Sequence, residues 1–245
     1  MSADLIEHLN VHQYDRKLRC GCNDDGGYVF AELDGWRGGP VYDCYISAGV
    51  SNEESFTRDF VDKYEMNEYN SFAFDGTISG YPYAYTNKIS FIRKNIGIVN
   101  DDTQTNLSHL MDKYDRIFLK MDIEGGEYPW LLSLTDAQLD RFRQIVIEFH
   151  GTTDDSWNAV YSDKVACMKK LAGTHYVVHA HGNNNGPWSQ GIPHVLELTY
   201  VNKRDFDVEP ALNTTPLPIP GLDFANYAPA SDMHISFPPF VFSEV

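Results

Sequence analysis

The segment that most constrains this chain is residues 116–127, R-I-F-L-K-M-D-I-E-G-G-E. Ile117, Phe118, Leu119 and Met121 make a short, nearly continuous apolar run. Such a run suits a strand buried on both faces, as in a parallel sheet covered by helices. It stops abruptly at Asp122, Glu124 and Glu127, with Gly125-Gly126 between the last two. In open α/β sheets the carboxyl ends of the strands face the crevice where ligands bind. Acids there are candidates for chemistry; the plainer alternative is a polar loop after a core strand. The two glycines permit a sharp turn or close approach of the backbone to a ligand.

The rest of the chain repeats this pattern. Residues 41–48 predict a strand that runs into Gly49 and then Ser51-Asn52-Glu53-Glu54. Ser51 with Glu54 matches a capping box, and Phe56, Phe60 and Tyr64 follow at helical spacing. Strand, glycine turn and helix form the first half of a nucleotide-binding unit, although G-x-G-x-x-G is missing and a plain βα turn is the alternative. Residues 71–74 predict a second strand ending at Asp75, at the distance past the glycine turn where an acid hydrogen-bonds ribose hydroxyls. Residues 89–92 give a third strand. Asn100-Asp101-Asp102-Thr103 is a polar turn before a short helix carrying Leu107, Leu110 and Met111. Thr135 with Gln138 is another capping box. Residues 144–149 form a strand ending at Glu148 and His150, two apart and so able to share a face. Val165, Met168 and Leu171 mark a helix face that Gly173 closes. Residues 176–178 form a sixth strand, with His179, His181 and Asn183 at its end, and residues 195–201 alternate as a strand.

The flanks differ from this core. Residues 1–40 are a polar N-terminal extension, in which Asp24-Asp25-Gly26-Gly27-Tyr28 reads as a turn into a strand rather than a loop over a substrate. From Asp205 onward there is no Lys or Arg, and seven of the chain's twelve prolines occur there. Residues 205–245 are therefore expected to wrap the domain of residues 41–204 as an extended tail. The net charge of −16 repels phosphate backbones and anionic membranes, which argues against both as partners. Met1-Ser2-Ala3-Asp4 lacks the pattern of a signal peptide, and no apolar run approaches a membrane span. Cys20, Cys22, Cys44 and Cys167 lack the pairing of a zinc site. Free thiols of a reducing, cytoplasmic compartment are the expectation.

Gly49, Asp75, Asp122, Glu148/His150 and His181/Asn183 all fall at strand ends, and in an α/β sheet those ends share one edge. The fold expectation is α/β and Rossmann-like, a mostly parallel central sheet with helices on both faces. The stretch from Asp122 to Glu127, preceded by Phe118-Leu119-Lys120, resembles the D-I/V-E-G-x-E signature of the FkbM-type methyltransferases. Residues 45–51 with Ser55-Phe56, residues 72–77, residues 147–150 and residues 25–29 resemble further motifs of that family, in the same order. The single glycine of the first loop, Gly49, departs from the family's pattern.

The resemblance implies an S-adenosylmethionine-dependent O-methyltransferase, with sugar hydroxyls, free or on a glycan, as frequent acceptors. On that basis Gly49, Ser51 and Asn52 are assigned to the amino-acid end of the cofactor, Asp75 to its ribose, and Asp102 with Thr103 to the adenine side. A sugar hydroxyl is a poor nucleophile and needs a base or a metal. Asp122, Glu148 and His150 are candidate ligands for Mg²⁺ or Mn²⁺, with His181 or Asn183 completing the shell. Asp122 is the first candidate for catalysis, and His150 or His181 is a candidate general base without metal. A metal-dependent hydrolase using the same acids, and a non-catalytic glycan-binding module, are the alternatives.

Overall fold

A computed structural model describes residues 3–83 and 87–243; Met1, Ser2, residues 84–86, Glu244 and Val245, including the ends of both flanks, lie outside the described residues. Seven strands form the central sheet: β1 (Cys44–Ala48), β2 (Ser71–Phe74), β3 (Ser90–Ile92), β4 (Ile117–Met121), β5 (Phe142–His150), β6 (His175–Gly182) and β7 (Val195–Asn202). Their spatial order is β6-β7-β5-β4-β1-β2-β3. β7 runs antiparallel to both neighbours, and the pairs from β5 through β3 are all parallel. The chain leaves β1 toward β2 and β3, then returns to the other side of β1 as β4. The strand order therefore reverses between β1 and β4, and that is where open sheets place their ligand crevice.

β4 matches its expectation, with all five residues buried. One face of the sheet (Ile46, Leu119, Ile147, Leu198) joins an apolar cluster that also takes Trp130 and Leu131 of α2 (Glu127–Ser133) and Met168 and Leu171 of α3 (Tyr161–Thr174). The opposite face carries an aromatic cluster. Phe56 and Phe60 of α1 (Ser55–Lys63) meet Phe118 with ring centroids 5.9 and 4.2 Å apart, and Tyr45 stacks on Phe60 at 4.6 Å. Interlocked rings of this kind add to the gain from burial alone.

Three local expectations turn out differently. The capping box at Ser51 does not form: Ser51 has φ +49°, and α1 begins at Ser55 without a side-chain cap. Glu54 instead turns inward and accepts from Ser47 Oγ at 2.8 Å and Tyr81 OH at 3.0 Å. The box at Thr135 and Gln138 is formed. β6 extends beyond the predicted residues 176–178, so His179 and His181 lie within it rather than after it. The alternation of β7 predicts one solvent face, yet all eight residues are buried. Its polar side is roofed by the hairpin Lys17–Cys20/Tyr28–Ala31, with Thr199 Oγ1 donating to Val29 O, and by the C-terminal tail. Leu217, Ile235 and Phe240 of that tail enter the core, and Asn213 N donates to Val11 O at 2.8 Å.

Candidate active site

A cleft of about 570 Å³ opens at the carboxyl ends of β1 and β4. That volume is in the range of small-molecule sites. Gly49 forms its floor at φ +82°, and a Cβ there would stand 1.6 Å from Asp122 O. The glycine is required by contact between two backbones. Lys120 Nζ closes the same corner by donating to Gly49 O at 2.9 Å. Asp75 lies across from it. Its Oδ2 accepts from Val50 N (3.1 Å) and Ser51 N (2.9 Å), and its Oδ1 from Thr77 N (2.7 Å) and Thr77 Oγ1 (2.6 Å). A carboxylate offers about four acceptor positions, so Asp75 is saturated by the loop it orders. Burial raises its carboxyl pKa, but these bonds outweigh burial and hold it below the ordinary value. Ser51 and Asn52 line the cleft between Gly49 and Asp75. Asp102 and Thr103 line a neighbouring depression with Gly76 and Arg93, joined to the cleft through Asn95.

Asp122 is the hinge between this cleft and a second group of side chains. It lines the cleft and accepts from Tyr28 OH at 3.3 Å. His150, at the end of β5, is surrounded by carboxylates: its Nε2 lies 3.3 Å from Glu148, 3.4 Å from Glu124 and 3.9 Å from Asp122, and its Nδ1 lies 3.4 Å from Glu127. Burial works against its protonation, but Glu127 and Glu148 more than offset this and raise its pKa well above the ordinary imidazole value. Without a cation, these carboxylates make His150 a donor; as a ligand it would act as the neutral imidazole. Burial first, and the charge of Asp122 second, raise the Glu148 carboxyl to about 8.

The structure brings Asp122, Glu148 and His150 close together, with Glu127 beside them. Asp122, Glu127 and His150 are the three whose ligand atoms lie within 4.8 Å of one another. Each retains a buried polar atom with no hydrogen-bond partner among the described residues: Asp122 Oδ1, Glu127 Oε2 and His150 Nδ1. Glu148 is occupied, accepting from Asn183 Nδ2 at 3.1 Å and facing Tyr28 OH at 3.5 Å. Two carboxylates and an imidazole with free atoms fit a hard divalent cation. Glu127 does more than end a loop: its Oε1 also accepts from Ile123 N at 3.0 Å at the start of α2.

His181 belongs to the same row but not to the cleft. His181 stands opposite Glu197, and Glu197 opposite Glu148, in register across β6, β7 and β5. His181 Nδ1 lies 3.1 Å from Glu197, and its Nε2 lies 3.0 Å from Asp232 in the tail. Both nitrogens are used and the residue is buried.

Sequence reasoning gave no role to Tyr28 or Lys120, and it counted Glu127 among the strand-end acids without making it a ligand. Tyr28 had a visible signal in the Asp25-Gly26-Gly27-Tyr28 cluster, whose Asp25 and Gly26 also line the cleft. Lys120 sits inside an apolar run, where a lone cation marks a buried partner.

No curated protein and no solved structure matches the chain. A family model described as the methyltransferase FkbM domain matches residues 6–183, well over half of the chain, and takes in the N-terminal hairpin as well as β1 to β6. With its ligand crevice at the switch point between β1 and β4, the chain belongs to the FkbM methyltransferase family, whose membership implies S-adenosylmethionine-dependent methyl transfer.

Proposed function

We propose that the protein is an O-methyltransferase that moves the methyl group of S-adenosylmethionine to a sugar hydroxyl, with a divalent cation, Mg²⁺ or Mn²⁺, held by Asp122, Glu127 and His150. The observation that carries this reading is the continuity of the two groups: Asp122 both lines the cleft and reaches the acid cluster. The cofactor side fits the loop from Gly49 to Asn52 with Asp75. Asp25, Glu53, Asp75, Asp122 and Glu124 line the cleft, and among the lining residues Lys120 is the one cation. Carboxylates in that number favour a ligand bearing a sulfonium and an ammonium group. The ribose hydroxyls bind Asp75 in exchange for the Thr77 hydroxyl.

The acceptor oxygen attacks the methyl carbon, the carbon–sulfur bond breaks, and S-adenosylhomocysteine leaves. The hydroxyl proton passes to Asp122 Oδ2, on which Tyr28 OH is a weak donor at 3.3 Å, and the unpartnered Oδ1 would be left for the cation. A bound divalent cation supplies Lewis acidity that makes the hydroxyl easier to deprotonate. His150 orders the carboxylates as a donor or ligand.

A thermal-shift screen of the full chain tests this. S-adenosylhomocysteine is expected to stabilise it, and Mn²⁺ to add to that shift. Stabilisation by metal alone points to the hydrolase, by glycans alone to the binding module. Full methyl transfer in chelator removes the cation from the reading.

A further inference from the structure

We propose that Trp157 and Glu124 form the subsite that holds the sugar ring of the acceptor, at the outer rim of the Asp122–Glu127–His150 cluster; this rests on the sugar O-methyltransferase reading above. Trp157 packs its ring 4.8 Å from that of His150, yet it remains 40% exposed. Trp157 therefore both packs on His150 and reaches the surface. Its backbone is unusual, because Trp157 (φ +53°) and Asn158 (φ +61°) are successive left-handed residues without glycine. Such conformations persist only where the surroundings enforce them.

Three features enforce this one. A Cβ at Gly125 would stand 2.6 Å from Trp157 O, and a Cβ at Gly151 would stand 2.5 Å from Trp157 Cδ1. Lys164, whose side chain is fully buried, ties the loop down by donating to Gly151 O and to Ser156 O. The first glycine of the Gly125-Gly126 pair thus makes room for Trp157. Singly exposed aromatics are ordinary on protein surfaces, but this one has two glycines and a buried lysine arranged around it. Glu124 stands next to it at φ +56°, with its side chain 71% exposed and Oε2 3.4 Å from His150 Nε2.

The pairing matches the chemistry of a pyranose. A sugar ring has an apolar C–H face and a rim of hydroxyls. The flat indole suits the face, and an open carboxylate accepts from the rim. A ring stacked on Trp157 directs its hydroxyls toward His150 and Asp122.

Saturation-transfer NMR tests this on the full chain with S-adenosylhomocysteine present and a panel of methyl hexopyranosides as probes. Ring C–H protons of at least one glycoside are expected to be saturated. Trp157→Ala is expected to weaken that glycoside about tenfold and Trp157→Phe only about threefold, with S-adenosylhomocysteine affinity unchanged in both. Glu124→Gln keeps the C–H saturation and reduces discrimination between hydroxyl epimers. Unchanged glycoside affinity in Trp157→Ala, or no saturation of any glycoside, overturns the subsite. Loss of S-adenosylhomocysteine binding with the glycoside contact intact overturns methyl transfer and leaves the subsite standing.

Discussion

His181 on β6 stands in register with Glu197 and Glu148, and His150 follows two residues after Glu148 at the end of β5, with β7 between the two histidines. Both are buried, both face carboxylates, and both have their pKa raised by those carboxylates against the opposing effect of burial. They differ in saturation. His181 has a carboxylate within 3.1 Å of each nitrogen. His150 has four carboxylates at 3.3–3.9 Å, and its Nδ1, Asp122 Oδ1 and Glu127 Oε2 have no hydrogen bond among the described residues. A buried ion with complete hydrogen bonding is architecture, while unmatched buried polar atoms are costly enough to need another explanation. Asp75 and Asp122 differ in saturation as well: Asp75 is filled by its own loop, one of whose bonds, from the Thr77 hydroxyl, a ribose hydroxyl can replace, whereas Asp122 Oδ1 has no hydrogen-bond partner among the described residues.

The contrast breaks or holds on variants of its members. Asp122→Asn should lower methyl transfer by about 10²–10⁴-fold, with the melting temperature nearly unchanged; retained activity removes Asp122 from the chemistry. His181→Ala should cost about 3–5 kcal/mol of stability, because Glu197 and Asp232 lose a buried partner. Denaturant unfolding measures this, and S-adenosylhomocysteine affinity of the folded fraction should not change. A large loss of affinity instead makes His181 part of the site.

At a third histidine burial outweighs a nearby carboxylate, Asp140. His175 bonds Thr174 Oγ1 and Phe142 O at 2.8 Å each, and burial lowers its pKa to about 4. Between that value and the unfolded value of 6.5 the unfolded chain binds more protons. Stability should therefore fall as pH drops from 6.5 toward 4, by up to about 3 kcal/mol from this residue. His175→Gln should flatten that part of the pH profile; an unchanged slope assigns it to other groups. The smallest effect sharpens the comparison most. Mn²⁺ at about a hundred times its dissociation constant should stabilise the wild type by about 2.7 kcal/mol. Glu127→Gln should lose that gain and His181→Ala should keep it. A gain retained in Glu127→Gln returns Glu148 to the ligand set.

The buried parallel strand at Ile117–Met121, the glycine turn after β1 and the Phe56/Phe60 face of α1 were all legible, because each depends on spacing within a few residues. Ser51 and Glu54 had capping spacing too, but Glu54 found better partners in Ser47 and Tyr81. A local preference of about 1 kcal/mol yields to such a buried pair of bonds. The alternation of β7 was legible as a pattern and misleading as to solvent, since the cover over Glu197 and Thr199 comes from chain far away in sequence. Asn226 Nδ2 links Glu197 to Asp25, and Asp232 reaches His181 across 51 residues.

By itself the sequence determined the α/β class, the strand ends that carry acids and histidines, and the family resemblance. These follow from short-range periodicity and from contiguous motifs. Only the tertiary structure decided which of those polar residues are satisfied. Hydrogen-bond saturation depends on partners brought by the hairpin and the tail, and no local spacing encodes it. That is why Asp122 and His150 stand apart from Asp75 and His181, although all four lie at the same edge of one sheet.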